Sequence, residues 1–510
     1  MKLKKKFIIT SVSALLIIGL ISSVIYIFNV KGNKNKNQTD YSEFNEFVKE
    51  NSYAEYLNNH KDAESAGSEI KISANQFSGS AGDVEILQEY EGRKDVVLTS
   101  GEGYIEYSVN VPQSAFYEIK VKYLTYKGNG LKVKRSLYVD GELPFDEAEY
   151  LEFERTFKDI KSEPVVDIHG NDIRPNQEEQ YVWQEKKLCD ASGYYEEPLR
   201  FYLSEGSHQI KVKYVSEPLL IDEIVFCPQD NVPTYSEYKK IHNKKSAESK
   251  AEIKIIQAED LYCKSEKSNY PINDRSSAST QPQSAYSLLL NTLGGTRWQN
   301  VGSSVSWKIS VDEDGYYKIA PRYKQNFISG VKVYRKITIN GELPFKEAAD
   351  LSFEYTTDWQ CVAIGNGKED FLFYFEKGRE YTVEMEVVLG DMSNILRRTQ
   401  ASLKELNGIY REILMVTGAS PDKYRDYNFE TSIPETLNNL KIQAKELSDI
   451  KTEFEKVNGG SGERVAQLTK LEQIVRKMAD DSSEIAGKFS TFKDNVAALG
   501  TWILDMSTQP

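Results

Sequence analysis

The sequence predicts a multidomain, mainly β protein in which two β-sandwiches are followed by an α-helical bundle. Three observations lead to this prediction. Apolar and polar residues alternate along much of residues 67–392, as in strands with one buried face. A long segment of this region recurs 200 residues later. From about residue 393, apolar residues recur instead at intervals of three and four, which is typical of amphipathic helices.

The composition agrees with several globular domains and excludes nucleic acid as the main partner. A chain of 510 residues is too long for one hydrophobic core, and 40% apolar residues exclude wholesale disorder. The formal net charge is −13. Residues 1–36 carry only basic charges, so the rest of the chain is more acidic still. Binding of DNA or RNA depends on clustered lysine and arginine, which such an acidic body does not offer.

Residues 1–36 are predicted to be an export signal that stays as a transmembrane anchor. Four lysines precede residues 7–28, an uncharged run long enough to span a bilayer as a helix. No small-x-small cleavage site closes this run, so we expect an uncleaved helix, with a long cleaved signal peptide as the alternative. In both cases the body is expected to be extracellular, at the cell membrane.

The remaining boundaries follow from changes in periodicity. We assign residues 37–66 to a polar stalk, 67–230 to the first sandwich, 231–250 to a linker, 251–392 to the second sandwich and 393–510 to the helical bundle. The repeat is clearest where residues 131–156 align with residues 331–356, because 14 of the 26 positions are identical. Chance would give about one or two identities.

The repeated segment has a simple physical explanation. In each copy a strand runs into a tight turn, Asp140-Gly141 or Asn340-Gly341, in which glycine tolerates positive φ. An arginine lies on the same strand and a glutamate follows the turn. We interpret the two pairs, Arg135 with Glu147 and Arg335 with Glu347, as structural ion pairs.

The two copies are expected to differ at their ends. The first closes with an apolar strand near residues 219–226, whereas the second turns helical near Asn394 before any such strand. We interpret the helices as an insertion ahead of the closing strand. The bundle should then pack against the second sandwich and bring Pro510 beside residues 381–388. Without a closing strand, the second sandwich would keep an open edge of unpaired N–H and C=O groups.

Catalytic motifs are absent from the sequence. It contains no G-x-S-x-G, H-E-x-x-H, phosphate loop or dinucleotide fingerprint. Its four cysteines form no C-x-x-C, which argues against a zinc site. We therefore predict that the protein is not an enzyme.

Aromatic residues in polar loops are the candidate ligand-binding residues. Sugar rings rest their C–H faces on aromatic planes, and their hydroxyls need amide, carboxylate or guanidinium partners. The alternative is that the tryptophans are buried in the sandwich cores. The candidates are Tyr181, Trp183, Tyr194 and Tyr195 in the first copy, and Arg297, Trp298, Gln299 and Asn300 in the second.

Several motifs resemble the galactose-binding-like, jelly-roll sandwiches of carbohydrate-binding module families 6 and 35. They are Gln257-Ala258-Glu259-Asp260, the Asp-Gly turn, Phe201-Tyr202-Leu203 ahead of Gly206, and Leu220-Ile221-Asp222-Glu223-Ile224. The resemblance implies carbohydrate as the ligand. It also implies a structural calcium at the positions of Glu259 and Asp222. Neither copy has both acids, so we predict no cofactor, with calcium as the alternative.

The whole architecture is similar to the amino-terminal region of large extracellular solute-binding proteins of carbohydrate ABC transporters from Gram-positive bacteria. This resemblance implies a surface-anchored carbohydrate-binding accessory of sugar uptake, with ABC permease subunits as partners. No two-lobed binding domain follows Pro510, so the resemblance implies a fragment or a shortened homologue. The alternatives are a structural or adhesive spacer that binds a protein, or an ancillary region of a polysaccharide-degrading enzyme.

Overall fold

The computed structural model of the chain describes residues 51–160, 165–242, 252–459 and 462–510. The predicted transmembrane anchor and residues 37–50 of the predicted stalk lie outside these ranges. Within them, no helix is both long enough and apolar enough to cross a bilayer.

The elements follow the predicted order of strands and then helices. In chain order the described strands are β1 (Ile70–Ser73), β2 (Gly79–Tyr90), β3 (Arg93–Val111), β4 (Ala115–Thr125), β5 (Val133–Val139), β6 (Leu151–Phe153), β7 (Phe157–Asp159), β8 (Val165–Val166), β9 (Asp172–Ile173), β10 (Gln177–Glu179), β11 (Gln184–Lys187), β12 (Arg200–Leu203), β13 (Gly206–Ser216), β14 (Leu219–Cys227), β15 (Cys263–Lys264), β16 (Ser304–Ser310), β17 (Gly315–Tyr317), β18 (Arg322–Tyr323), β19 (Val333–Ile339), β20 (Leu351–Phe353), β21 (Gln360–Cys361), β22 (Phe373–Phe375) and β23 (Glu380–Val388). The helices are α1 (Tyr53–Asn59), α2 (Tyr235–His242), α3 (Met392–Thr417), α4 (Phe429–Ser432), α5 (Pro434–Asn458), α6 (Glu463–Asp480) and α7 (Glu484–Ser507).

The first sandwich is built on a ten-stranded sheet. Its main path runs β11-β4-β14-β3-β13-β5-β6, with β2 paired to β3, β1 to β14 and β12 to β4. Strand β14 lies between β3 and β4 and pairs antiparallel with both. Alternate residues of these strands point into one core, as the period-two pattern predicts. The predicted β-sandwich is therefore confirmed for this part of the chain.

The second sheet contains strands from both copies. Its seven strands run β10-β7-β15-β16-β23-β19-β20, and β7 and β10 come from a long insertion in the first copy. The junction is the pairing of β7 with β15 at Phe157 and Lys264. Lys264 also donates to the carboxylate of Asp159 at 2.6 Å. This insertion therefore joins the two sandwiches through backbone pairing and a buried ion pair.

Short helices α1 and α2 cap equivalent positions of the two sandwiches. The backbone N–H of Tyr53 donates to Glu147 at 2.9 Å, and that of Tyr235 donates to Glu347 at 2.8 Å. Each tyrosine ring also packs on a phenylalanine that follows the repeated turn, Phe145 or Phe345. Residues 52–66 of the predicted stalk and the start of the predicted linker therefore belong to the two sandwiches.

These contacts correct the predicted ion pairs. Glu147 and Glu347 accept from the two capping helices. Arg135 instead donates to the backbone oxygens of Thr99, Ser216 and Glu217 at 2.9–3.0 Å. The pairing was wrong because the helices that bind the glutamates lie about 90–110 residues away in sequence, beyond any local pattern.

The predicted helical bundle is confirmed. Four long helices, α3, α5, α6 and α7, bury apolar residues spaced by three and four on their facing sides. Gly459 ends α5 with positive φ, and Pro434 begins it at a position where its missing N–H is not needed. The bundle core continues into Val331, Tyr334 and Leu389 of the second sandwich. The bundle therefore packs against this sandwich, as the insertion hypothesis predicted.

The chain returns to the second sandwich after α7. Gln509 is fully buried, and its side-chain oxygen accepts from the backbone N–H of Tyr334 at 3.0 Å. Its backbone oxygen accepts from Arg335 at 2.8 Å. These contacts are on β19, which pairs with β23 at Arg335 and Val387. The return therefore lies one strand away from the predicted residues 381–388.

We expect Tyr53→Ala to destabilise the first sandwich by about 3–5 kcal/mol, as for other buried aromatic truncations. The substitution removes a ring 4.7 Å from Phe145 and 4.8 Å from Tyr195. It also removes the hydroxyl that accepts from the Arg200 N–H at 2.8 Å. Differential scanning calorimetry would measure the loss. Asn59→Ala, at an exposed position of α1, is the control; an equal effect of both substitutions would show that α1 does not stabilise the sandwich.

Candidate functional site

Two of the predicted ligand-binding residues lie on the outer face of the first sandwich. Val97 of β3 points into the main core, whereas its neighbours Val96 and Leu98 point to the opposite face. Tyr181 and Trp183 pack on that opposite face. The outer aromatic patch, as we call it, consists of Tyr90, Tyr126, Tyr181 and Trp183 over Val96, Leu98, Leu124 and Leu220.

Strand pairing and one hydrogen bond position the tryptophan of this patch. Gln184, the next residue, pairs with Tyr123 at the edge of the sheet. The indole N–H of Trp183 donates to the backbone oxygen of Glu91 at 3.1 Å, in the β2–β3 turn. The rings of Tyr90 and Tyr126 lie 5.5 Å apart in an edge-to-face arrangement. All four aromatic side chains are half-buried, so each keeps part of its surface in solvent.

Charged side chains border the outer aromatic patch. Lys122 lies two residues before Leu124 on β4 and therefore on the same face, and its ion pair with Asp222, at a bulge of β14, places that carboxylate there too. Asp222 forms ion pairs with Lys122 and Arg93, both at 3.7 Å. The patch thus combines apolar aromatic surface with carboxylate and ammonium groups that can hydrogen-bond to hydroxyls.

The same contacts argue against the calcium role implied for Asp222, because two cations already neutralise its carboxylate. Glu259, the other implied ligand, lies in the second sandwich, where burial raises its pKa to about 7 and favours the neutral form. The described residues bring no group of three metal-ligating side chains together. The two acids therefore do not form a common site.

Tyr194 and Tyr195 do not join the outer aromatic patch. Tyr195 packs edge-on against Tyr53, 4.8 Å between ring centroids, and Arg397 of the bundle lies 5.8 Å from its ring. Tyr194 packs against the bundle core. Both residues therefore serve the junction between the first sandwich and the bundle, which corrects their assignment to a ligand site.

Trp298 is a core residue, the alternative that the sequence left open. It is only 9% exposed, and it packs with Val305 and Val387. Its indole N–H donates to the Ser303 oxygen at 3.0 Å, and the guanidinium of Arg335 lies 4.6 Å from its ring. With one face covered and its polar atom paired, the side chain offers no surface for a sugar.

The neighbours of Trp298 point to separate partners. The Arg297 guanidinium lies 4.9 Å from the ring of Tyr270. Gln299 accepts a backbone hydrogen bond from Gln509 at 2.9 Å, and Asn300 donates to Glu266 at 3.0 Å. These three residues therefore do not converge on one ligand, although sequence proximity suggested that they would.

The structural counterpart of Trp183 is Trp359, which the sequence reading missed. Gln360 pairs with Tyr323 as Gln184 pairs with Tyr123, so the two Trp-Gln dipeptides occupy equivalent edge positions. The recurring dipeptide was a usable signal. It was missed because the long insertion in the first copy makes its offset shorter than 200 residues.

The surroundings of Trp359 differ from those of Trp183. Its ring lies 4.8 Å from Arg322 and 5.0 Å from the Lys324 ammonium. Its indole N–H lies 3.2 Å from the hydroxyl of Ser276 and donates to it. In the second sandwich, therefore, the side chains of Arg322 and Lys324 already contact the ring of Trp359.

A cavity of about 390 Å³ lies where the two sandwiches meet. It is lined by two ion pairs, Lys186 with Glu154 and Lys336 with Glu386. Burial alone would lower the pKa of Lys186, but the carboxylates of Glu154 and Glu386 outweigh it and raise the pKa. Both lysines therefore stay charged, and the cavity wall is ionic.

Three acids lie together where the second sandwich meets the bundle. Burial, then repulsion from Glu196 and Asp391, raises the pKa of Asp350 to about 7. One carboxylate oxygen of Asp350 is buried with no hydrogen-bond partner in the described part of the chain. This acid is therefore neutral below pH 7 in the folded protein.

Comparison with known protein families gives a match, and it lies in the bundle. Residues 394–506 match the family described as the bacterial solute-binding protein, 4-helix bundle domain. No curated protein matches the chain.

Solved structures similar to part of the chain include carbohydrate-active proteins. One is a GH26-CBM35 β-(1,4)-mannanase from Podospora anserina, at 12% identity and a TM-score of 0.22 over 33% of this chain. Only 29% of that mannanase is covered. The C-terminal CBM6 of LamC from Zobellia galactanivorans shows 17% identity and a TM-score of 0.19, over 31% of this chain and 99% of that chain. A family 35 carbohydrate-binding module from Clostridium thermocellum shows 14% identity and a TM-score of 0.21, over 31% and 98%.

We expect Trp298→Ala to destabilise the second sandwich by about 3–5 kcal/mol, since it empties a buried aromatic site and uncovers Arg335. Trp183→Ala removes a half-exposed ring, so its cost should be clearly smaller. Guanidinium unfolding of the two variants, followed by near-ultraviolet circular dichroism, would rank them. The opposite order would show that Trp183 is the core residue.

Asp350→Asn should flatten the dependence of stability on pH. Between about pH 4 and pH 7 the folded state keeps a proton on this carboxyl that the unfolded state has released. Stability therefore falls as pH rises through 7, and removing the titrating group removes that loss. The thermal midpoint at pH 5.5 and pH 8 gives the slope. Asp312→Asn, an exposed acid in the same sandwich, is the control, and equal slopes in both variants would contradict the assignment.

Proposed function

We propose that the chain is a non-catalytic, extracellular carbohydrate-binding protein that forms the accessory part of a sugar-uptake solute-binding protein. It is held at the cell membrane by residues 1–36 and needs no cofactor. The sugar binds on the outer aromatic patch of the first sandwich. The observation that carries this proposal is the half-buried Trp183 with three tyrosines and a border of paired charges.

The chemistry of the outer aromatic patch suits a carbohydrate. The indole and phenol rings offer flat apolar surface to the C–H faces of a sugar. Asp222 can accept from hydroxyls, and Lys122 can donate to them, at the edge of that surface. Asp222 and Lys122 pair with each other, which holds both side chains in place in the absence of sugar.

The first sandwich is the better candidate of the two. Arg322 and Lys324 lie against the ring of Trp359 in the second sandwich, and a sugar would have to displace them. No cation lies over Trp183 among the described ring contacts, and the surroundings of its ring are aromatic and aliphatic. We therefore place one sugar site on the chain rather than two.

The family match of the bundle supports the solute-binding part of the proposal. The matched residues, 394–506, extend from α3 to α7. The bundle packs on the second sandwich and leaves the outer aromatic patch of the first sandwich uncovered. We propose permease subunits of an ABC transporter as the protein partners at the cell membrane.

Trp183→Ala should weaken polysaccharide binding about tenfold to a hundredfold, which corresponds to losing about 1–3 kcal/mol of aromatic–sugar contact. Binding to a glycan array, followed by titration calorimetry on the best ligand, measures the change. Trp359→Ala is the matched control and should leave affinity unchanged.

Unchanged affinity in Trp183→Ala would reject the proposed site, and no binding to any glycan would favour a spacer that binds a protein instead. Release of reducing sugar from a bound polysaccharide would contradict the non-catalytic part of the proposal.

A further inference from the structure

The second sandwich has a gap where the first has a central strand. In the first sandwich, β14 joins β3 to β4. The equivalents of those two strands are β16 on one side and β17 with β18 on the other. Among the described strands, β17 pairs only with β22 and β18 only with β21. No described strand connects them to β16, so the sheet is interrupted at the position of β14.

Side-chain burial shows the same gap from inside the core. Five pairs of residues that the 200-residue repeat matches differ in exposure: the member in the first sandwich is fully buried and its counterpart in the second is only half-buried, whereas other matched positions, such as Val133 and Val333, are buried in both. The pairs are Val109 and Ile309, Val111 and Val311, Tyr117 and Tyr317, Ile119 and Ile319, and Tyr123 and Tyr323. All five counterparts lie on or next to the strands that border the gap. The core is therefore open along this line.

The opening strand of the second copy has also lost its partner. In the first sandwich Ile72 of β1 pairs with Ile224 of β14 and is 8% exposed. The sequence counterparts of β1 include Ile253 and Ile255, which form no strand and are 94% and 81% exposed. Two isoleucines that are exposed to solvent indicate an apolar surface. The corresponding segment of the first sandwich is covered by its pairing with β14, the strand that the second sandwich lacks.

The end of the bundle lies at the entrance to the gap. Arg135 donates to the backbone oxygen of Glu217 at 3.0 Å, and β14 begins after the following Pro218. Arg335 donates to the backbone oxygen of Gln509 at 2.8 Å, and Pro510 follows. The two guanidinium groups thus bind equivalent residues of the chain, Glu217 and Gln509, and a proline follows each of these two residues. The backbone N–H of Gln509 also donates to the backbone oxygen of Gln299, the sequence counterpart of Thr99, where β14 begins to pair with β3.

We propose that this gap is an acceptor for one further strand, which is joined to Pro510 and is apolar on both faces like Leu219–Cys227. The strand would run antiparallel to β16 and to β17 and β18, as β14 does with β3 and β4. It would cover Ile253 and Ile255 and turn three separate sheets into one. Strand edges without a described strand partner and half-buried apolar side chains border the gap, and a strand of this chemistry would pair with the edges and cover the side chains. This inference does not depend on sugar binding.

The test extends the full chain after Pro510 by the residues found at positions 219–226. Amide hydrogen exchange should slow by about tenfold or more at residues 253–256 and 315–323, because their backbone groups become paired. The thermal midpoint should rise by about 5 °C or more from the added apolar burial. The matched control carries the same extension with aspartate at its third and sixth residues, both of which point into the core in β14.

A register measurement keeps the test decisive if the extension lowers solubility. Ile255→Cys is combined with a cysteine at the sixth residue of the extension, the equivalent of the Ile72 and Ile224 pair. Disulfide formation there, mapped by peptide mass spectrometry, supports the proposal, and a cysteine at the fifth residue should react less because it points to the other face. Unchanged exchange with no disulfide, or equal protection by the aspartate extension, would overturn it.

Discussion

A buried arginine in each sandwich determines where one later segment of the chain lies against the sheet, because its guanidinium needs a backbone oxygen of that segment. Arg135 and Arg335 are almost completely buried, and no carboxylate pairs with either guanidinium among the described ion pairs. Burial lowers the pKa of Arg335 to about 9, which shows how much the fold disfavours its charge. Backbone oxygens must therefore satisfy the N–H groups, and one of them belongs to the segment that follows the penultimate strand. In the second sandwich that segment comes only after the helical bundle, so Arg335 fixes the bundle's return to the sheet.

The distance in sequence between contacting residues explains which parts of the fold could be predicted from sequence. Strand alternation and helical spacing are local properties, and they gave the sandwich and bundle architecture correctly. Contacts such as Tyr53 with Glu147 join residues far apart, and a seven-residue helix carries too little periodicity to reveal them. A usable signal existed in the shared Tyr-x-Glu-Tyr pattern at Tyr53 and Tyr235, which lies outside the 200-residue offset.

The candidate site was predicted only in part for a related reason. Tyr181 and Trp183 come directly before the edge strand β11, so the local sequence decides which face of the sheet they contact. Trp298 depends instead on Arg335, a residue 37 positions away that stacks on its ring. The residues around Trp298 are polar, as in a binding loop, yet they contact other parts of the protein: Gln299 binds the returning chain at Gln509, and Asn300 donates to Glu266. An aromatic residue among polar neighbours is therefore a half-exposed residue in one copy and a core residue in the other.

The two sandwiches differ in how their sheets are completed. The first contains its own central strand, so its sheet is continuous and its outer face can carry the outer aromatic patch on a rigid support. The second is held together by its neighbours: β7 and β10 extend one edge, α2 caps it, and the bundle covers Tyr334 and Leu389. Phe157 of the first copy pairs with β15 of the second sandwich, and Tyr195 of the first sandwich contacts Arg397 of the bundle. These contacts make the first sandwich a continuous sheet with an aromatic outer face, and the second an interrupted sheet that connects the first sandwich to the bundle.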